Sequence, residues 1–141
     1  VQAIDKSDQI NLYKYKNPIA DSIDRVVENT TQKRPSGLYI AAHSGEDEPD
    51  TKHRGKSYND AVAEQMTFAK AREYARLTGF HKFTKGYFMD KKGWTRTSSL
   101  WSDGNLVDGS WYGGDSKLGM SSGNRDGRFA VSGPRELFLT L

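Results

Sequence analysis

Trp101-Ser-Asp-Gly-Asn-Leu-Val-Asp-Gly-Ser-Trp-Tyr-Gly-Gly-Asp-Ser-Lys-Leu-Gly-Met-Ser-Ser-Gly-Asn-Arg-Asp-Gly127 is the stretch that decides the fold. It has no helical periodicity, and its Asp-Gly, Gly-Gly and Asn-Arg-Asp-Gly pieces are tight-turn signals. Around it, short aromatic or apolar pieces recur at Tyr87–Met89, Leu118–Met120, Phe129–Val131 and Leu137–Leu141. Eight of the 14 glycines and all three tryptophans fall within positions 94–133, which separates this region from the rest of the chain. Short strands joined by tight turns are expected there.

Upstream the texture is helical. Ser57 is a cap candidate with Asp60 behind it to complement the helix dipole. Ala61, Val62, Phe68, Ala69 and Ala75 line one face, Arg72 and Arg76 suit a last turn, and Gly79 is the expected C-cap, so one helix over 57–79 is predicted. Nothing after Gly79 is read as helical. Gly37–His43 reads as a short buried strand bounded by Pro-Ser-Gly, and the polar run 44–56 as a mobile, solvated loop. Asn17-Pro18 is a cap followed by proline at the first helical position, and Ile19, Ile23, Val26 and Val27 form one apolar stripe. A short helix is expected there, ending before Lys33-Arg34-Pro35. Two helices followed by many short strands give an α+β domain, because a parallel sheet would need helices between its strands.

At 141 residues with 35% hydrophobic and 28% charged residues, one globular domain is expected. No apolar run approaches bilayer length, so membrane insertion is not expected. The chain opens at Val1 without a charged-then-apolar leader, which reads as a trimmed or mature form. The absence of cysteine removes thiol nucleophiles, thiolate metal sites and disulfides together. Residues 51–100 carry 11 basic and 4 acidic groups against a net charge of +3 for the whole chain. That excess is spread over a helix and a loop without stacking aromatics, so a solvated face is favoured over nucleic-acid binding.

Gly93-Trp94-Thr95-Arg96-Thr97-Ser98-Ser99-Leu100-Trp101, the Gly/Ser-rich stretch after it, and Arg125-Asp126-Gly127-Arg128-Phe129-Ala130-Val131 together resemble the C-terminal region of prokaryotic and phage C-type-lectin-fold proteins. More narrowly, they resemble the variable proteins of diversity-generating retroelements, over positions 57–141. The resemblance implies a C-type lectin-like fold, with Leu38–Ala42 pairing with the terminal strand Glu136–Leu141. It implies a single domain over 1–141: an N-terminal helical segment (1–36), a scaffold (37–100), a variable ligand-binding region (101–131) and a closing strand (132–141). In that family, changes at template adenines rewrite Asn codons but cannot produce Lys, Met or Trp, which would make Trp111, Lys117 and Met120 scaffold. Ser110, Tyr112, Asp115, Gly119, Ser121, Ser122, Gly123, Asn124 and Gly127 are then the candidate ligand contacts, with Asp103, Asn105 and Asp108 added. A cell-surface or virion location and a protein or cell-surface ligand, carbohydrate included, are what the resemblance implies.

The residues point the same way. Tyr and Trp supply large contact area at low entropic cost and Ser, Gly and Asn supply adaptable hydrogen bonds, as in antibody-type loops. Trp101, Trp111 and Tyr112 are the anchor candidates, and the plainer reading makes the tryptophans core, above all Trp94. Glu48-Pro49-Asp50 and Trp101-Ser102-Asp103 only partly match the calcium elements of sugar-binding lectins, and Asp103-Gly104-Asn105 with Asp108 fails the EF-hand pattern at Val107. His43, His53 and His81 lack metal-ligand spacing. There is no nucleophile elbow, P-loop or Gly-x-Gly-x-x-Gly. No catalytic residue, metal or cofactor is assigned, and an enzyme is not expected. Two alternatives stay open: a small hydrolase acting on carbohydrate or peptidoglycan, recognised by His43 or His81 against a carboxylate, and an oligomer-forming fibre-tip domain.

Overall fold

The computed structural model describes residues 11–14, 26–28, 32–114 and 116–140. In these the chain is α+β, with two α-helices and two sheets. The central strands are β4 (Thr95–Leu100), β5 (Leu106–Tyr112) and β6 (Lys117–Gly123), an antiparallel meander laid down by the segment in which turn residues alternate with apolar ones. At its first turn the Asp103 carboxylate accepts from the Asn105 amide, the local closure that an Asp-Gly-Asn sequence favours. β1 (Asn11–Lys14) adds in parallel to β6, and β2 (Val27–Glu28) adds antiparallel to β4, giving the order β1-β6-β5-β4-β2. β7 (Gly133–Pro134) also pairs with β4, at Thr95 and Arg96.

The second sheet is β3 (Ile40–Ala42) against β8 (Phe138–Thr140), antiparallel, with Ala41 opposite Leu139. β3 was expected to be buried. Instead Ile40 is 71% exposed and Leu38 fully so, because this sheet has only two strands and only the Ala41 side is covered.

The predicted helix over 57–79 is two helices. α1 (Tyr58–Ala63) begins at a capping box in which Ser57 Oγ accepts from the Asp60 amide and the Asp60 carboxylate accepts from the Ser57 amide. It ends at Gln65, which takes a left-handed φ of 56°. The chain then runs extended, with Phe68 bridging Glu136, before α2 (Ala71–Lys85) starts. Phe68 and Ala69 are buried in that connection, so their apolar spacing mimicked a continuing helical stripe. α2 passes through Gly79 and stops at Gly86, whose φ of 83° is the left-handed cap.

Of the helix expected after Asn17, residues 17–25 lie outside the described residues. Val27 and Glu28 are extended, paired with Leu100 and Ser99 on β4. Tyr87–Met89 and Phe129–Val131 are not strands. Phe88 and Met89 are buried in a loop that ends at left-handed Asp90, and Phe129 starts a turn closed by the Ser132 amide donating to its carbonyl.

The core lies between α2 and the meander: Ala71, Tyr74 and Ala75 pack on Phe88, Met89, Trp101, Val107, Leu118 and Met120. A Cβ on Gly109 would fall 2.0 Å from the Tyr74 ring, so this glycine sets how closely α2 sits on the sheet. Beneath it, Asp90 accepts from Arg135, Tyr74 and Thr95, while Arg135 also donates to Thr95 and to the Glu46 carbonyl. Arg135, Asp90 and Tyr74 are fully buried, and the network is closed on itself.

The acidic run is not a solvated loop. The Glu48 carboxylate accepts from the amides of Lys91, Lys92 and Gly93, and Asp50 accepts from Ser44 and from the Glu136 amide. These carboxylates stand in for a missing strand partner by satisfying backbone donors.

Candidate ligand-binding groove

The last residues of β6 and the loop after it form one wall of an open groove of about 510 Å³. Ser121, Ser122, Gly123, Asn124 and Gly127 lie on this side, Trp94, Phe129 and Val131 supply apolar surface, and Lys92 and Ser132 complete the lining. Its buried polar members are Arg96, Asp108 and Ser132. The first two face one another in register across β4 and β5, with Arg96 Nη1 donating to Asp108 Oδ2 at 2.7 Å.

This pair is incompletely satisfied. Arg96 Nε and Asp108 Oδ1 are buried without a hydrogen-bond partner, in contrast to the closed Arg135–Asp90 network one strand position away. Burial pushes the Asp108 carboxyl up to about 7, with Arg96 opposing only part of the rise. Gly123 makes the geometry feasible, since a Cβ there would lie 2.3 Å from Asp108 Oδ2 and 2.8 Å from Arg96 Nη1. The Phe129 ring covers the Arg96 guanidinium at 5.1 Å, a cation–π contact.

The loop is strapped to the start of α1. Arg128 donates through Nε and Nη2 to both oxygens of Asp60, at 2.8 and 2.7 Å, and the Asn59 amide donates to the Arg125 carbonyl. Asn59 Nδ2 also donates to Asp126. The Arg128 contact holds the Asp60 carboxyl well below its ordinary range. The same carboxylate therefore caps α1 and fixes one side of the groove.

Of the sequence-derived contacts, Asp108, Ser121, Ser122, Gly123, Asn124 and Gly127 come together here. Trp101 does not: it is 3% exposed and its indole Nε1 donates to the Ser121 carbonyl, so it supports the wall from within. Ser110 is buried and donates to the Asp90 and Gly93 carbonyls. Gly119 is buried beneath the Tyr112 ring, and half-exposed Tyr112 meets Trp94 edge-on at 5.4 Å. Asp103 and Asn105 are exposed at the β4–β5 turn and do not line the groove. Asp115 lies outside the described residues. Trp111 is stacked on Phe88 at 3.7 Å. Sequence reasoning missed Lys92, Trp94, Arg96, Phe129, Val131 and Ser132. An arginine and an aspartate on adjoining strand-like pieces were the available signal for Arg96, but the register that pairs them is not in the sequence.

The histidines sit elsewhere. His53 Nε2 lies 2.8 Å from Glu136, and its Nδ1 lies 3.1 Å from the Lys56 ammonium. An ammonium can only donate, so Nδ1 accepts from Lys56, and both ring nitrogens of His53 are engaged within the protein. His81, buried, lies 3.1 Å from Asp47. Among the described residues no group of three or more His, Asp or Glu side chains could hold a metal ion, and no helix is long and apolar enough to cross a membrane.

Comparison of the chain with family models, with curated proteins and with solved structures finds no match.

Proposed function

We propose that this protein is a ligand-recognition module of C-type-lectin-like architecture, with positions 101–131 presenting a diversifiable surface whose binding face is the groove beside β6. The observation that carries this reading is the division of labour along one segment. Trp101, Leu118 and Met120 are buried as scaffold, whereas Ser121, Ser122 and Asn124 stand at the groove on a backbone tied down by Arg128 and Asp60. Small polar side chains on a fixed backbone can be exchanged without disturbing the core, and a wall ordered before binding avoids the entropic cost of ordering a loop on contact. The pairing of Ile40–Ala42 with Phe138–Thr140 supports the lectin-like reading. The ligand in this reading is a protein or a cell-surface group.

A displayed library randomised at Ser121, Ser122 and Asn124 tests the proposal. Most members are expected to fold, and selection against a panel of proteins is expected to yield binders that lose their ligand when Trp94 is replaced by Ala. A library that is mostly unfolded, or binders indifferent to Trp94→Ala, would overturn it.

A further inference from the structure

We propose a second recognition site, independent of the groove beside β6. The cleft between β3 and α2 takes a short acidic segment of a partner protein, which inserts one aliphatic side chain and sets its carboxylates against the basic face of α2.

Two cavities meet along α2. One, of about 250 Å³, is bounded by Leu38, Ala41, Leu77 and Leu137. The other, of about 450 Å³, carries Lys70, Arg72 and Arg76. Tyr39, Glu73 and Arg76 line both, so an apolar hollow and a cationic one share a wall. Among the described residues Glu73 is the only acid lining either, and it is engaged within the protein. Its carboxylate accepts from Arg34 Nε and Nη2, from the Tyr39 hydroxyl and from the Lys70 amide. What the cleft shows a ligand is therefore positive, and exposed Arg76 has no partner among the described residues. A carboxylate set there gains charge-assisted hydrogen bonds with no acid left to repel it. From Leu77 back to Lys70 is about 10 Å of helix, which about three residues of extended chain span. An acid two or three positions from an aliphatic residue meets both cavities. The cations extend along the helix from Lys70 to Arg76, which suits several carboxylates in a row, whereas a fatty acid or a free phosphate brings one anionic group. Leu137 is buried and Ala41 and Leu77 are half-buried, so this apolar surface is recessed, as an inserted side chain requires. A bilayer would need it to project.

The test is an amide NMR titration of the full chain with acetyl-Asp-Glu-Ser-Leu-Ser-Glu-Asp-amide, which carries acids on both sides of one leucine and so serves either chain direction. Expected are shifts at 38–41 and 73–77. Replacing the peptide's leucine by serine, or every acid by its amide, is expected to weaken binding about tenfold. Arg76→Glu is expected to weaken the acidic peptide by about the same factor and to leave the melting temperature unchanged, since Arg76 has no partner to lose. Absence of shifts at millimolar peptide, shifts centred elsewhere, or equal binding of the leucine-free or amidated peptide would overturn the inference. Octanoate binding at the same residues as tightly as the peptide would overturn it too. So would retention on phosphatidylserine vesicles that Arg76→Glu abolishes while the peptide stays unbound, or a dimer in sedimentation equilibrium that Leu38→Ser dissolves, which would put a second copy in the cleft. The groove beside β6 plays no part in any of these results.

Discussion

Arg96 and Asp108 sit directly opposite one another on β4 and β5, joined by a single 2.7 Å contact, and each keeps one buried atom unpaired. Removing one member leaves a buried charge, whereas replacing both with apolar side chains removes the problem together with the pair. Asp108→Ala is expected to cost about 3 kcal/mol, and the Arg96→Met, Asp108→Leu double variant close to nothing. Urea denaturation of the three proteins checks this. Equal destabilisation by the single and double changes would mean the pair contributes net stability.

The raised Asp108 carboxyl gives a pH dependence of defined sign. Its folded value of about 7 lies above the ordinary carboxylate value, so the folded state holds more protons between the two. This contribution is fully present at low pH and is lost as pH rises through about 7. Burial raises Asp90 in the same direction and lowers His43 and His81, which lose stability as pH falls over the same range, so Asp108→Asn is needed to isolate the share that belongs to Asp108. The melting temperature of the wild type minus that of the Asn variant is expected to increase on going from pH 8 to pH 5.5. A difference that is unchanged or smaller at pH 5.5 would contradict the assignment.

Trp101, an anchor candidate by its sequence context, is buried, and Phe129, expected in a short strand, stands exposed in a turn. Trp101→Ala removes a buried indole and is expected to cost about 4 kcal/mol, while Phe129→Ala, at an exposed turn, is expected to cost less than about 1 kcal/mol. Thermal melts of the two variants provide the comparison.

Arg128 and Asp60 join the groove loop to the α1 cap at the surface. Arg128→Ala, at a fully exposed side chain, is expected to leave global stability little changed, but to speed amide exchange at 125–128. The Asp60 carboxyl is depressed by Arg128, so the strap is present above the ordinary carboxylate range and weakens as pH falls below it. Unchanged exchange in the variant would mean that the loop is ordered by other contacts.

Gly109→Ala places a methyl group 2.0 Å from the Tyr74 ring. The helix must move or the ring must leave its hydrogen bond to Asp90, at an expected cost of about 2 kcal/mol or more. A melt indistinguishable from wild type would show that α2 is free to slide on the sheet.

The α+β class was legible because turn chemistry between residues 101 and 127 is local: Asp-Gly and Gly-Gly announce their turns wherever they stand. The Ser57–Asp60 cap was legible for the same reason. What failed was decided at a distance. Phe68 fits a helical stripe by spacing, but its backbone is extended because it bridges Glu136, 68 residues later in sequence. The Glu46–Asp50 run looks solvated until the amides of 91–93 and 136 arrive beside it. The groove was half legible. Its serines and asparagine follow from composition, while Arg96, Trp94 and Phe129 enter through strand register and a turn that no local pattern encodes.

The most direct measurement is the amide chemical-shift footprint of a protein ligand, selected from the library, on the folded chain. Perturbations centred on residues 92–96 and 121–132, with α2 and the β3–β8 sheet unaffected, are the expected result. A footprint centred on Leu38, Ile40 and Phe138 instead would contradict the groove as the recognition face.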